Sequence, residues 1–219
     1  MAKDVSTLPF SAYRIYQLLL SFSLALFIIC TAVQITLLFK PLYYFDIGYL
    51  NIEEQSGLDR DTITENYDYM INFLMNPVPQ EFHLPSLDYS SHGAIHFQDV
   101  KRIFTAIYLL IAITGIISAI GLYVNIKKKD FHFLKITATA LALFTAIPLI
   151  AFVLDFNAAF VFFHEILFTN DYWIFDAASD PVITILPETF FLHAALLILG
   201  LIAIGMIILL IAGKKLSKK

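Results

Sequence analysis

The sequence predicts an all-α membrane protein with four transmembrane helices and an extracytoplasmic cap built from the two outer segments. Three observations predict it. Hydrophobic residues make up 59% of the 219-residue chain, and the mean hydropathy is +0.76, too apolar for an ordinary soluble domain. Four apolar runs, over residues 15–39, 103–124, 134–154 and 190–212, have the length of about 20 residues that a helix needs to cross a hydrocarbon core. The charges are also segregated: ten of the fourteen Lys and Arg residues fall on one side of these runs and sixteen of the eighteen Asp and Glu residues on the other.

Residues 1–39 hold the N-terminus and the first transmembrane helix. Lys3 and Arg14 precede it, as in a signal peptide, but the apolar run is roughly twice as long as a 7–15-residue signal core and no small-residue cleavage site follows. A retained helix is expected. Residues 40–101 form the first cap segment, which is rich in aromatic residues and so does not read as disordered. Within it, residues 59–76 read as a helix. Asp61 is the expected N-cap with Glu65 in the following turn, and Ile63, Tyr67, Met70, Phe73 and Leu74 fall at helical spacing before Asn76-Pro77-Val78-Pro79 stops it. Ser90 to Gly93 reads as a turn, and residues 96–102 as the lead-in to the second transmembrane helix, 102–125.

Residues 126–133 form a short loop carrying Lys127, Lys128 and Lys129, with Lys135 just beyond. The third transmembrane helix spans 134–154. The second cap segment, 155–189, opens with an aromatic run over 156–168 suited to the membrane interface. Residues 190–219 hold the fourth helix and a tail with Lys214, Lys215, Lys218 and Lys219. Basic residues near helix ends mark the inner side, so both termini and the 126–133 loop are expected in the cytoplasm. Cys30, the one cysteine, lies inside the first helix. It excludes a disulfide framework and reads as a small apolar filler.

The chemistry-bearing residues fall at the outer interface. Ionisable groups at membrane depth mark function by default, yet the first three helices carry almost none in their centres, which argues against an ion or proton path. His193 lies about one turn inside the fourth helix. Two clusters remain. One runs from Ser90 through His92, Gly93, His96, Phe97 and Asp99 to Lys101. The other runs from Phe163-His164-Glu165 through Asn170, Asp171, Trp173, Asp176 and Asp180 to Leu186-Pro187-Glu188-Thr189-Phe190-Phe191.

Three readings compete. A pair of histidines, titrating near pH 6.5, holds one base and one acid at neutral pH and suits acyl transfer. His92 and His96, spaced i, i+4, could ligate a metal with His164 or an Asp, although Gly93 and the expected turn interrupt a helix through both. Or the histidines are interfacial residues with satisfied hydrogen bonds. Trp173 alone reads as an interface anchor, and Lys40, Lys101 and Arg102 as snorkelling side chains. No GxSxG elbow, phosphate loop or basic-aromatic nucleic-acid surface is present, so no nucleic-acid partner is expected.

At these clusters the sequence resembles the bacterial lipoprotein intramolecular transacylases, a family of integral membrane proteins. The residues that carry the resemblance are Ser90 with Gly93, His96-Phe97-x-x-Val100-Lys101, Phe163-His164, Phe168, Trp173, Phe175-Asp176, Asp180, Ile183, and Pro187 with Phe190. It covers nearly the whole chain, since the four-helix plan and the two outer segments agree. Ala177 stands where the family has proline, which alters the local turn.

The resemblance implies an acyl transfer within one substrate, a bacterial lipoprotein whose N-terminal cysteine carries a thioether-linked diacylglyceryl group. The sn-2 acyl chain moves to the α-amine of that cysteine and leaves a lyso-form lipoprotein. It implies His96 and His164 as the catalytic pair, with the assignment of base and acid left open. Lys101, Trp173, Asp176 and Asp180 are expected as supports or substrate contacts, and Asp99 or Glu165 as groups that orient an imidazole. No metal and no organic cofactor are implied. The expected partners are the lipoprotein and membrane lipid, in the bacterial cell membrane, with a monomer expected. A non-catalytic accessory subunit and a lipid-ester hydrolase are the alternatives.

Overall fold

The structure is a computed structural model, and it describes residues 10–216; Lys3, Lys218 and Lys219, which enter the charge argument, lie outside them. The elements run α1 (Phe10–Leu38), α2 (Lys40–Tyr49), α3 (Ile52–Ser56), α4 (Arg60–Met75), α5 (Ser91–Lys128), α6 (His132–Leu167), a 3-10 turn (Pro181–Ile185) and α7 (Glu188–Leu216). No strand occurs among the described residues. Four of the helices, α1, α5, α6 and α7, are long and apolar enough to cross a membrane.

Two of them outrun the spans expected from hydropathy. The 38 residues of α5 rise roughly 57 Å at 1.5 Å per residue, well beyond a ~30 Å hydrocarbon core. Its first three turns are the stretch read from the sequence as turn and lead-in. The expected turn at Ser90 to Gly93 is instead the helix start: Ser90 Oγ accepts the Gly93 N–H at 3.0 Å, as an N-cap does. His92 and His96 therefore share one continuous helix. The 36 residues of α6 include one break, at Asp155, whose backbone is extended (φ −165°, ψ 101°). Asp155 Oδ1 accepts the Ala158 N–H at 3.0 Å and so caps the aromatic run that follows.

The chain divides into two compact units. Among the described residues, the first comprises 10–32, 109–147 and 200–216. Uncharged polar groups tie its helices together. Gln17 Nε2 donates to Asn125 Oδ1 at 2.9 Å and Asn125 Nδ2 to the Tyr16 hydroxyl at 2.9 Å. Ser21 Oγ donates to the Phe133 carbonyl at 3.1 Å. Such bonds bind membrane helices, because lipid supplies no competing water. Helices approach closely where there is no side chain to intervene: a Cβ on Gly121 would meet Leu20 Cδ1 at 2.2 Å. Lys129 ends α5 in the left-handed region, φ 56°, with the Asp130 N–H bonded to the Asn125 carbonyl at 3.1 Å, a helix-ending pattern.

The second unit comprises residues 33–108 and 148–199. Its core gathers Tyr43, Ile47, Ile63, Tyr67, Phe73, Phe82, Phe97, Val182 and Phe190. The helical spacing read from residues 63–74 is the face that α4 buries here. The cap of α4 differs from the expectation: Asp59, not Asp61, accepts the Thr62 N–H, at 2.8 Å. Asp59 sits three residues before that N–H, the N-cap geometry, whereas Asp61 is already in the first turn. The Thr62 N–H holds the Asp59 carboxyl below the usual carboxylate range. The Tyr44 hydroxyl donates to Asp68 Oδ1 at 2.6 Å; burial first, then that bond and the carboxylate's charge, push its pKa up to about 12.

Candidate active site

All the site residues expected from the sequence belong to the second unit. On α5, Gly93, His96, Phe97 and Lys101 recur at helical spacing and are all buried. Past the break at Asp155, α6 carries a second stripe. Phe156, Phe160 and His164, with Phe168 one step beyond the helix end, recur every four residues, and successive ring centroids lie 6.1, 4.1 and 5.7 Å apart.

The two stripes bring His96 and His164 together, with ring centroids 6.2 Å apart and planes inclined by 32°. Aromatic rings surround them. His96 meets the edge of Phe168 at 4.8 Å and of Phe175 at 5.4 Å. His164 lies 4.1 Å from Phe160 and 4.8 Å from Trp173. Phe97 stacks between Phe82, at 4.4 Å, and Phe175, at 5.9 Å, and meets His96 edge-on at 5.9 Å. His96 is only 7% exposed, whereas His164 and Trp173 are half-buried. Phe163, with its ring 5.5 Å from His164, and Ile174, next to Trp173 in the chain, are largely exposed.

The two imidazoles differ in hydrogen bonding. His164 Nδ1 lies 2.7 Å from the Phe160 carbonyl oxygen. A carbonyl only accepts, so Nδ1 carries the proton, and in the neutral ring the lone pair is left on Nε2. His96 Nδ1 is buried with no hydrogen-bond partner. A buried N–H without an acceptor costs about 1–3 kcal/mol, which favours the tautomer with the proton on Nε2. One ring thus presents an acceptor and the other a donor.

The supporting residues take distinct places. Asp180 is buried, and Oδ1 accepts the Ser90 N–H at 2.8 Å while Oδ2 accepts the Ser179 hydroxyl at 3.0 Å. Its carboxylate thereby neutralises the N-terminus of α5, about one turn and a half before His96. It approaches so closely that a Cβ on Gly93 would lie 2.2 Å from Oδ1. Asp176 is exposed and shapes the preceding turn, accepting the Ala178 N–H on Oδ1 at 3.0 Å and the Asp180 N–H on its carbonyl at 2.7 Å. Lys101, 5% exposed, donates to the Val78 carbonyl at 2.9 Å and lies over the Phe73 ring at 4.3 Å. It fastens the Pro77–Pro79 turn to α5.

Asp99 accepts from Arg102 at 2.6 Å and from Asn170 at 3.3 Å, and Glu165 is exposed; no hydrogen bond joins either to an imidazole. The orienting group is the Phe160 carbonyl, which sequence reasoning missed although the i, i−4 spacing from His164 points to it. His92 is exposed and stacks on Tyr172 at 4.1 Å, apart from the pair. Among the described residues, no group of three or more His, Cys, Asp or Glu is placed to hold a metal ion.

Comparison with known proteins bears on this arrangement. A family model described as "Lipoprotein intramolecular transacylase Lit" matches residues 18–191. Among solved structures, the membrane integral lipoprotein intramolecular transacylase Lit from Bacillus cereus is 38% identical, with 94% of this chain and 95% of that one covered and a TM-score of 0.91. Structures of that protein with one histidine replaced by arginine or by alanine superpose with TM-scores of 0.84, again at 38% identity; they cover 94% of this chain and 92% and 93% of theirs. No curated protein matches. A family match over most of the chain, on four helices able to span a bilayer, identifies this chain as a multi-pass membrane protein that belongs to the lipoprotein intramolecular transacylase family.

Proposed function

We propose that this enzyme moves the sn-2 acyl chain of a diacylglyceryl-cysteine lipoprotein onto the α-amine of the same cysteine, with His164 as base and His96 as hydrogen-bond donor to the oxyanion. The observation that carries the assignment is the opposite environment of the two Nδ1 atoms, one on the Phe160 carbonyl and one buried without a partner.

The nucleophile belongs to the substrate, so the protein needs no serine or thiol of its own. The neutral amine attacks the sn-2 ester carbon. His164 Nε2 takes the proton that the nitrogen must shed, and the developing oxyanion is held by His96 Nε2–H. The intermediate collapses with cleavage of the bond to the glycerol oxygen, and the His164 imidazolium returns its proton to that oxygen. Protons balance, and the enzyme ends as it began. Both reacting groups sit on one molecule, so the protein's part is to hold them in register. The rings of Phe160, Phe168, Trp173 and Phe175 exclude water that would otherwise hydrolyse the ester.

In this reading residues 40–101 and 155–189 form an extracytoplasmic cap, both termini face the cytoplasm, and acyl chains leave the site between helices. The segregation of basic residues supports that orientation, and the exposed Phe163 ring beside His164 supports a lipid-facing site.

Incubation of purified enzyme with a diacylglyceryl lipopeptide tests the reading. Intact mass should stay constant while fragmentation locates one acyl group on the cysteine nitrogen. A product lighter by one acyl group would mean a hydrolase, and an unchanged substrate an accessory protein. Wild-type rates in both His96→Ala and His164→Ala would remove the histidines from the chemistry.

A further inference from the structure

The first unit holds an open cavity of about 500 Å³ where the end of α7 meets the start of α6. Its charged wall is Lys129, Lys135 and Lys214 with His132, and its apolar wall is Leu209 and Leu210 of α7. The single acid that lines it, Asp130, is engaged elsewhere: its carboxylate accepts from the Tyr13 hydroxyl and from the His132 N–H. Three lysines and one aspartate leave a formal charge of +2. Among the described residues none of the three lysines has a carboxylate in ion-pair reach.

Orientation in a membrane needs lysines near the helix ends but does not need them to converge. Two neighbours show the difference: Lys127 lies over the Tyr123 ring at 4.3 Å and Lys128 over the Tyr13 ring at 5.8 Å, each satisfied locally. The other three surround one space. That space lies where the apolar run of α7 gives way to Lys214 and Lys215, the depth at which a lipid's phosphate meets its acyl chains. Basic pockets between helix ends at such a boundary suit anionic headgroups.

We propose that this cavity binds an anionic glycerophospholipid, its phosphodiester between Lys129, Lys135 and Lys214 and an acyl chain along Leu209 and Leu210. The paired requirement, charge above and hydrocarbon below, selects a lipid over a free phosphate. The net positive wall selects an anionic lipid over a zwitterionic one. The site is separate from the histidine pair and does not depend on the proposed reaction.

The test uses the full chain in non-ionic detergent, titrated with phosphatidylglycerol, phosphatidylcholine or inorganic phosphate, and reads lipid retention by native mass spectrometry and the thermal midpoint. Phosphatidylglycerol should be retained and raise the midpoint, and the other two should not. Lys135→Gln with Lys214→Gln should weaken the preference by about fivefold per lysine. Gly213→Leu occupies the floor and keeps every lysine. The Cβ it adds meets Leu134 only at 3.7 Å, an ordinary contact, so it reports even where the double variant fails to insert. It should weaken retention at least fivefold. Equal retention of phosphatidylcholine, an equal shift with inorganic phosphate, or an undiminished preference in Gly213→Leu would overturn the proposal.

Discussion

His193 Nδ1 lies 2.9 Å from both carboxylate oxygens of Asp46, a side chain with no solvent exposure at all. Asp46 is on α2 and His193 on α7, so one imidazole–carboxylate hydrogen bond joins two helices of the second unit. The Tyr49 ring lies beside it at 5.9 Å. Removing one member of a buried pair strands the other's charge, at a cost of about 3–5 kcal/mol. His193→Ala should therefore lower the thermal midpoint of the detergent-solubilised protein more than Asp46→Asn combined with His193→Gln, which leaves a neutral hydrogen bond. Equal loss in the two proteins would show that leaving Asp46 without its partner costs nothing.

Glutamine places an amide N–H near the position of imidazole Nε2 but cannot take up a proton. With His96 as donor and His164 as base, the two glutamine variants should therefore differ. His164→Gln should lose about 10²–10⁴-fold in transfer rate. His96→Gln should retain measurably more activity than His96→Ala, in which loss of an oxyanion donor costs about 10²–10³-fold. The reverse ranking, measured by rate of N-acylation, would exchange the roles.

The attacking amine must be neutral. With an α-amine pKa of about 7.7–8.0, the protonated fraction grows as pH falls below that range. The transfer rate at subsaturating substrate should therefore drop about tenfold for each pH unit below 7, and should flatten above about pH 8. A lipopeptide whose amine has a lower pKa should shift this limb to lower pH. A limb that stays in place would assign it to the enzyme instead.

Gly93 leaves room for the Asp180 carboxylate, which is fixed at both oxygens by Ser90 and Ser179. The Cβ of Gly93→Ala would also lie 3.3 Å from the Phe175 ring, which touches His96. The variant should lose about 1–3 kcal/mol of stability through overpacking and also lose activity, because α5 and Phe175 both shift under His96. Asp180→Asn keeps the size of the side chain and should lose less in both measurements. Thermal midpoints and transfer rates read side by side check this.

Lys101 is nearly buried, and its ammonium is held by the Val78 carbonyl and the Phe73 ring. Lys101→Met keeps the stem but leaves that carbonyl unpaired, at about 1–3 kcal/mol. The expected result is a lower thermal midpoint and faster proteolysis in the Pro77–Pro79 turn. Unchanged stability with a raised KM for lipopeptide would instead make Lys101 a substrate contact.

Four apolar runs, the break after Asn76 and the core face of α4 were legible in the sequence because each is a local property: run length, proline chemistry, helical period. The charge segregation was legible for the same reason, and the two histidine clusters could be named from residue type and placement. What stayed hidden was long-range. The start of α5 reads as a turn until Asp180, ninety residues away, is seen capping it. Asp46 is one acid in an aromatic helix until His193 meets it. Asp99, three residues from His96, bonds Arg102 and Asn170 instead, and Glu165, beside His164 in the chain, is exposed, while the carbonyl that orients His164 comes from its own helix. Sequence spacing fixes what lies on one face of one helix, because the backbone repeats. Which faces meet, and therefore which imidazole keeps a lone pair and which a proton, is decided only when helices distant in the chain pack and each buried polar atom either finds a partner or is left without one.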